Sequence, residues 1–169
     1  MTPTGTRSIV ITDTSILINL SHTGHVSLLG KTTGFRFVVP NEVIVEVTDP
    51  GQGQVLQAAL AEGALSQESL ASPDELEIYA DLIQVLGFGE SACLALAARR
   101  DWLIACDEKR VFLREAHLRL GDNRIINTTG LYVLWVRLGL LSVEQADDAK
   151  AILETNRFKM SIQSFRDIV

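Results

Sequence analysis

The sequence predicts an α/β fold, a three-layer α/β/α sandwich around a central, mostly parallel sheet of four to five strands. Short β-branched apolar runs alternate with helical patterns along the chain, and each run is apolar on both faces. That is the signature of strands covered on both sides in a parallel sheet. Composition supplies the core, since 47% of the 169 residues are hydrophobic and only 21% charged, unlike a disordered chain. One domain suits this length. We place it at residues 1–154, with 155–169 as a C-terminal tail packing on the domain or extending from it.

The first strand is Ser8 to Thr12, closed by Asp13, and Ile16, Leu17 and Leu20 then follow at helical spacing. Phe35 to Val39 is the second strand, with Pro40 suited to the first turn of a helix carrying Val43, Glu46 and Val47. Gly51 to Gly63 reads as a helix bounded by glycines. Ser72 as cap with Glu75 at the third helical position starts another helix, through Leu86. Gly87 and Gly89 break it. Glu90 to Arg100 is helical by propensity, and Trp102 to Cys106 is the third strand, ending at Asp107. An amphipathic helix from Glu108 to Leu120 stops at Gly121. A short strand from Arg124 to Ile126 and helices over Thr129 to Leu140 and Val143 to Leu153 complete the pattern.

Several function classes drop out. No uncharged apolar run approaches the ~20 residues of a membrane helix, so the expectation is a cytoplasmic protein with no membrane partner. Cys93 and Cys106 sit in apolar runs without Cys/His spacing, which argues against a disulfide framework or structural zinc. Both read as buried thiols. The net charge of −6 is uneven: residues 1–98 carry 3 basic and 11 acidic side chains, residues 99–137 carry 8 and 5, and residues 138–169 carry 4 and 5. A basic stretch beside an acidic half leaves phosphate contacts open, although a pI near 5.0 argues against affinity based on bulk charge.

In open parallel sheets the ligand site lies at the carboxyl ends of the strands. Asp13 and Asp107 end the first and third strands there, while Glu46 in the first turns of one helix and Glu90 at the start of another can lean over the same edge. Crowded carboxylates repel and raise one another's pKa unless a cation neutralises them. Oxygen donors without histidine or thiolate select Mg²⁺ or Mn²⁺, ions that bind substrate phosphate. The chemistry this suggests is phosphodiester hydrolysis. Singly, each acid has a plainer reading: Asp13 and Asp107 as helix caps, Glu90 as a first-turn acid, Glu46 as a solvated helix residue. Their conjunction favours the site.

The residues that carry this cluster resemble the PIN-domain nucleases, especially the VapC-like toxins. The matching pieces are Ile9-Val10-Ile11-Thr12-Asp13-Thr14-Ser15, Val39 to Val47, Gly87-Phe88-Gly89-Glu90-Ser91-Ala92 and Ile104-Ala105-Cys106-Asp107-Glu108. Asn127-Thr128-Thr129-Gly130-Leu131, Leu138 to Ser142 and Asn156 to Ser161 resemble one subgroup of PIN proteins. The resemblance implies a Mg²⁺- or Mn²⁺-dependent endoribonuclease, the toxin of a toxin–antitoxin pair, with RNA as substrate and a small antitoxin as partner. It implies Asp13, Glu46, Glu90 and Asp107 as catalytic metal ligands, with Thr14, Ser15, Thr128 and Thr129 as supporting hydroxyls. Glu42 is not at the family position. The helix after Asp107, Glu108-Lys109-Arg110-Val111-Phe112-Leu113-Arg114, is bulkier than the family pattern.

Weaker signals fill out the reading. Arg110 and Arg114 are candidate RNA contacts, with a solvated helix face as the plain alternative. His22 and His25 have ligand-like spacing but no third ligand, and read as surface residues; His117 reads as a helix-face residue. Leu131, Val133, Leu134, Trp135 and Leu138 serve either the core or a homodimer surface. The competing function is a catalytically silent PIN-like module that binds RNA or protein. A receiver-type domain, which shares the sheet and the Mg²⁺-binding acids, lacks its late-strand lysine, because the last strand here ends Ile126-Asn127-Thr128.

Overall fold

The computed structural model describes residues 5–107 and 109–169. Five strands form one sheet in the order β3-β2-β1-β4-β5, every pair parallel: β1 Ser8–Thr12, β2 Phe35–Pro40, β3 Ser66–Glu68, β4 Leu103–Ala105 and β5 Ile125–Ile126. Flanking helices complete an α/β/α sandwich. Val10, Ile11, Val38, Val39 and Ile104 are fully buried, as strands covered on both faces must be.

The chain runs outward from β1 to β3, then returns to the other side of β1 to lay down β4 and β5. The switch point therefore lies between β1 and β4, where Thr12 pairs with Ala105 and Asp13 N–H donates to the Ala105 carbonyl at 2.9 Å. A crevice opens at such a point.

The helices are α1 Thr14–Thr23, α2 Asn41–Glu46, α3 Pro50–Ala61, α4 Pro73–Leu82, α5 Phe88–Arg100, α6 Arg110–Leu120, α7 Thr128–Arg137 and α8 Val143–Thr155. α5 is central, packing on β1, β2 and β4 and on α2, α4 and α6. Its residues Ser91 to Ala97 are all buried, which three alanines in Ala-Cys-Leu-Ala-Leu-Ala allow: small side chains let neighbours approach on every side, and Ala and Leu favour the helix.

Several expected elements differ. β3 was not expected; its Ser-Gln-Glu is polar and three residues long, so it carries no apolar signal. α2 ends at Glu46 because the chain must extend before Pro50, so Glu46, in the second turn as expected, is also the last residue of the helix. α4 ends at Leu82, four residues short of Leu86. α6 begins at Arg110; the expected start, Glu108, lies outside the described residues.

His25 is not a surface residue. It is half-buried, edge-on to Tyr132 and Trp135, with Nδ1 2.8 Å from the Tyr132 hydroxyl. His117 is exposed and lies 2.9 Å from Asp122. Leu131 and Trp135 are in the core, whereas Leu138 is exposed. Phe165 is fully buried, and Phe158, Met160, Ile162 and Ile168 pack against the core. Among the described residues no helix is long and apolar enough to cross a membrane.

Candidate metal centre at the switch point

Asp13 caps α1, its Oδ2 accepting from Ser15 N–H at 3.3 Å and from Ser15 Oγ at 2.8 Å. The plain reading of Asp13 as a cap therefore holds in the fold, and it leaves the carboxylate on the pocket wall. Ser15 Oγ also accepts from Asp107 N–H at 3.2 Å, so a single hydroxyl joins the ends of β1 and β4. Burial pushes the Asp13 carboxyl above its ordinary pKa, and the negative charge of Glu90 adds to the rise despite the Ser15 bonds.

Glu46 is held from two sides. Thr14 Oγ1 donates to its Oε2 at 2.6 Å and Gly89 N–H donates to its Oε1 at 2.8 Å. Glu90, at the third position of α5, accepts from Gly87 N–H at 3.3 Å through Oε2 and lies 3.4 Å from Lys109 Nζ through Oε1. Asp13, Glu46 and Glu90 line one pocket of about 310 Å³ together with Thr14, Ser15, Ile18, Gly87 and Lys109. Three elements converge there.

Asp107 does not line that pocket. Its carboxylate turns to the start of α7, where Thr128 N–H donates to Oδ1 at 2.9 Å and Thr128 Oγ1 to Oδ2 at 2.7 Å, with Asn19 Nδ2 donating to Oδ2 at 2.8 Å. Burial still raises its pKa; these three bonds only partly offset that. Thr128 is fully buried and makes these bonds, whereas Thr129 is half-buried beside it. Arg110 and Arg114 are exposed on α6, Arg114 lying 3.3 Å from Glu115, and neither lines the pocket. Glu42 lines the neighbouring hollow with Val45, Tyr79 and Phe88.

Reading by residue type passed over four partners. Asn19 had a visible signal, a polar side chain on the apolar face of α1. The N–H groups of Gly87 and Gly89 had none, because glycine reads as a helix break. Lys109 read only as a departure from the family's helix pattern.

The donors around the pocket are all oxygens and mostly anionic, a set that fits a hard divalent cation. Asp13, Glu46 and Glu90 would hold it, with Asp107 tied to them through Ser15. As the side chains stand, no three acidic, histidine or cysteine side chains among the described residues are grouped to hold a metal ion. Each carboxylate is instead drawn to a protein donor.

A parallel α/β/α sheet with acids at its switch point is compatible with more than one class of Mg²⁺-binding protein, and comparison with known families separates them. Residues 9–165 match the family model for the PIN domain. The chain belongs to the PIN-domain family, whose members are generally nucleases that use divalent metals. No curated protein is significantly similar to it.

Proposed function

We propose that this protein is a Mg²⁺- or Mn²⁺-dependent endoribonuclease. The observation that carries the reading is the convergence of Asp13, Glu46 and Glu90, from the ends of β1 and α2 and the start of α5, on one pocket beside the switch point. When bound, a divalent cation activates water for attack at phosphorus and offsets the charge of the phosphate. The chain's own groups prepare that site. Thr14 and Gly89 N–H fix the Glu46 carboxylate, Gly87 N–H fixes Glu90, and Ser15 sets Asp13 against the end of β4. Thr128 and Asn19 hold the Asp107 carboxylate in place at the rear. RNA as substrate, a role as VapC-like toxin and a small antitoxin follow from the sequence resemblance alone; a homodimer rests only on the apolar residues of α7, of which Leu131 and Trp135 are in the core.

The test is cleavage of a mixed RNA panel with Mn²⁺ or Mg²⁺ by wild-type, chelator-treated and Asp13→Asn protein from identical preparations. Metal-dependent cutting that disappears in Asp13→Asn supports the reading. Mn²⁺ binding without cutting of any RNA would instead favour a silent binding module.

A further inference from the structure

Among the described residues lining the acidic pocket, Lys109 is the one cation. It precedes α6 as its N-cap, in extended conformation, and reaches from the rim toward Glu90 Oε1 at 3.4 Å. The other Glu90 oxygen accepts from Gly87 N–H. Both carboxylate oxygens thus already have partners, but of different kinds. The Gly87 amide is part of the chain that frames the pocket and stays. The lysine side chain is 75% exposed against 18% for Glu90, so its ammonium remains largely hydrated and holds Glu90 through a weak, screened contact. A divalent ion that takes Glu90 Oε1 must displace it. Once displaced, the ammonium stays tethered at the mouth of the pocket, beside the exposed Arg110, where a phosphate entering the site would meet it.

We propose that Lys109 is the pocket's built-in counter-ion: it neutralises Glu90 until a divalent cation arrives, competes with that cation for Oε1, and after displacement contacts the phosphate backbone of the substrate. The proposal rests on the metal-dependent nuclease reading above. It requires that loss of Lys109 strengthen metal binding and weaken nucleic-acid binding. A lysine that is merely solvated would change neither.

The test uses Lys109→Ala and Lys109→Arg in the full chain, with melting curves confirming the fold. Free Mn²⁺ is followed by electron paramagnetic resonance in the absence of RNA. Lys109→Ala is expected to bind Mn²⁺ roughly threefold more tightly, the worth of an exposed ion pair, and Lys109→Arg to match wild type. Binding of a short single-stranded RNA is then read by fluorescence anisotropy over a salt series, with Ca²⁺ in place of Mn²⁺ and strand integrity checked on a gel. The slope of log Kd against log salt should fall by about 0.7 in Lys109→Ala, one phosphate contact on a single strand. Equal or weaker Mn²⁺ binding in Lys109→Ala overturns the counter-ion, and an unchanged salt slope overturns the phosphate contact. Both results leave the nuclease reading standing. If neither wild type nor Lys109→Ala binds Mn²⁺, that reading fails and Lys109's role fails with it.

Discussion

The backbone N–H of Gly89 donates to Glu46 Oε1 at 2.8 Å, and a Cβ at Gly89 would overlap that same carboxylate, lying 2.9 Å from its Cδ. The second helical position of α5 is therefore a glycine because an acid from another helix rests on it. Gly89→Ala is expected to push Glu46 aside cheaply, since the clash is with the end of a flexible side chain. Alanine also favours the helix, so thermal stability should hold or rise slightly. Mn²⁺ affinity should fall about tenfold, the usual cost of disturbing a group that orients a ligand. A melting curve and an Mn²⁺ titration on the same sample separate the two effects.

Asp13→Asn should raise stability without metal. The carboxyl's pKa is raised in the fold, chiefly by burial and further by the charge of Glu90, so its ionised form costs folding free energy. Asparagine keeps the capping oxygen for Ser15. The sign follows from linkage: the folded state holds the Asp13 proton more tightly, so the wild type loses stability as pH rises through the folded pKa. The gain of Asp13→Asn should thus be full above the folded pKa and fade as pH falls toward the ordinary carboxyl value of 3.8. Each kcal/mol gained appears as about 2–4 °C at this chain length. A variant that melts below wild type in chelator would make Asp13 a cap and little else.

The parts legible in the sequence are those whose cause is local. β1, β2 and β4 announce themselves as short apolar runs, and Asp13 and Asp107 are tied to strand ends by position alone. Glu46 was legible as a candidate but not as a helix terminus, because the end of α2 is set by the extended chain before Pro50. β3 is held by pairing with β2 rather than by its own residues. The Ser15 bridge and the bond from Asn19 to Asp107 across 88 positions exist only once β1 and β4 lie side by side, and the lysine meets Glu90 only once α5 and α6 pack together. Residue types could name the acids. They could not show what holds each one.

Thr128→Val tests the support behind Asp107. The hydroxyl is fully buried, donates to Asp107 Oδ2 at 2.7 Å and accepts from Asn19 at 3.3 Å. Valine keeps the volume and strips a charge-assisted bond, at a cost of about 1–3 kcal/mol. It should also raise the Asp107 pKa further, by removing one of the bonds that favour the ion. Denaturant midpoints measure the loss, and Thr128→Ser should recover most of it; equal losses in both variants would point to packing.

Phe165→Ala addresses the last residues of the chain. The ring is fully buried, 5.8 Å from the Tyr132 ring, while Phe165 N–H and Ser164 Oγ donate to the two oxygens of Asp147 on α8 at 2.8 and 2.7 Å. Truncating a buried phenylalanine costs about 3–5 kcal/mol. Removal of residues 156–169 should destabilise the domain at least as much, and an unchanged melting temperature for either variant would show that the segment adds no packing energy.

Glu75 should dominate the acid limb of the stability curve. Its side chain is 5% exposed, takes Arg100 Nε at 2.7 Å on Oε1, and accepts Ala71 and Ser72 N–H at 2.8 and 3.1 Å on Oε2. The Arg100 hydrogen bond, aided by the two amides, outweighs burial and holds the carboxyl down at about 2. Arg100 also reaches Glu68 at 2.9 Å and stacks over Trp102 at 4.9 Å, so this one cation joins β3, α4 and the end of α5. Glu75→Gln keeps the capping box, which glutamine also makes, and removes only the charge. It should cost about 2 kcal/mol at neutral pH, the worth of a charged hydrogen bond. A depressed folded pKa means the contribution is present above the unfolded value of 4.5 and is lost as pH falls from there to about 2. Denaturant midpoints of the two proteins should therefore converge across that interval. A gap still open at pH 2 would assign the stability to packing around Glu75 instead of its charge.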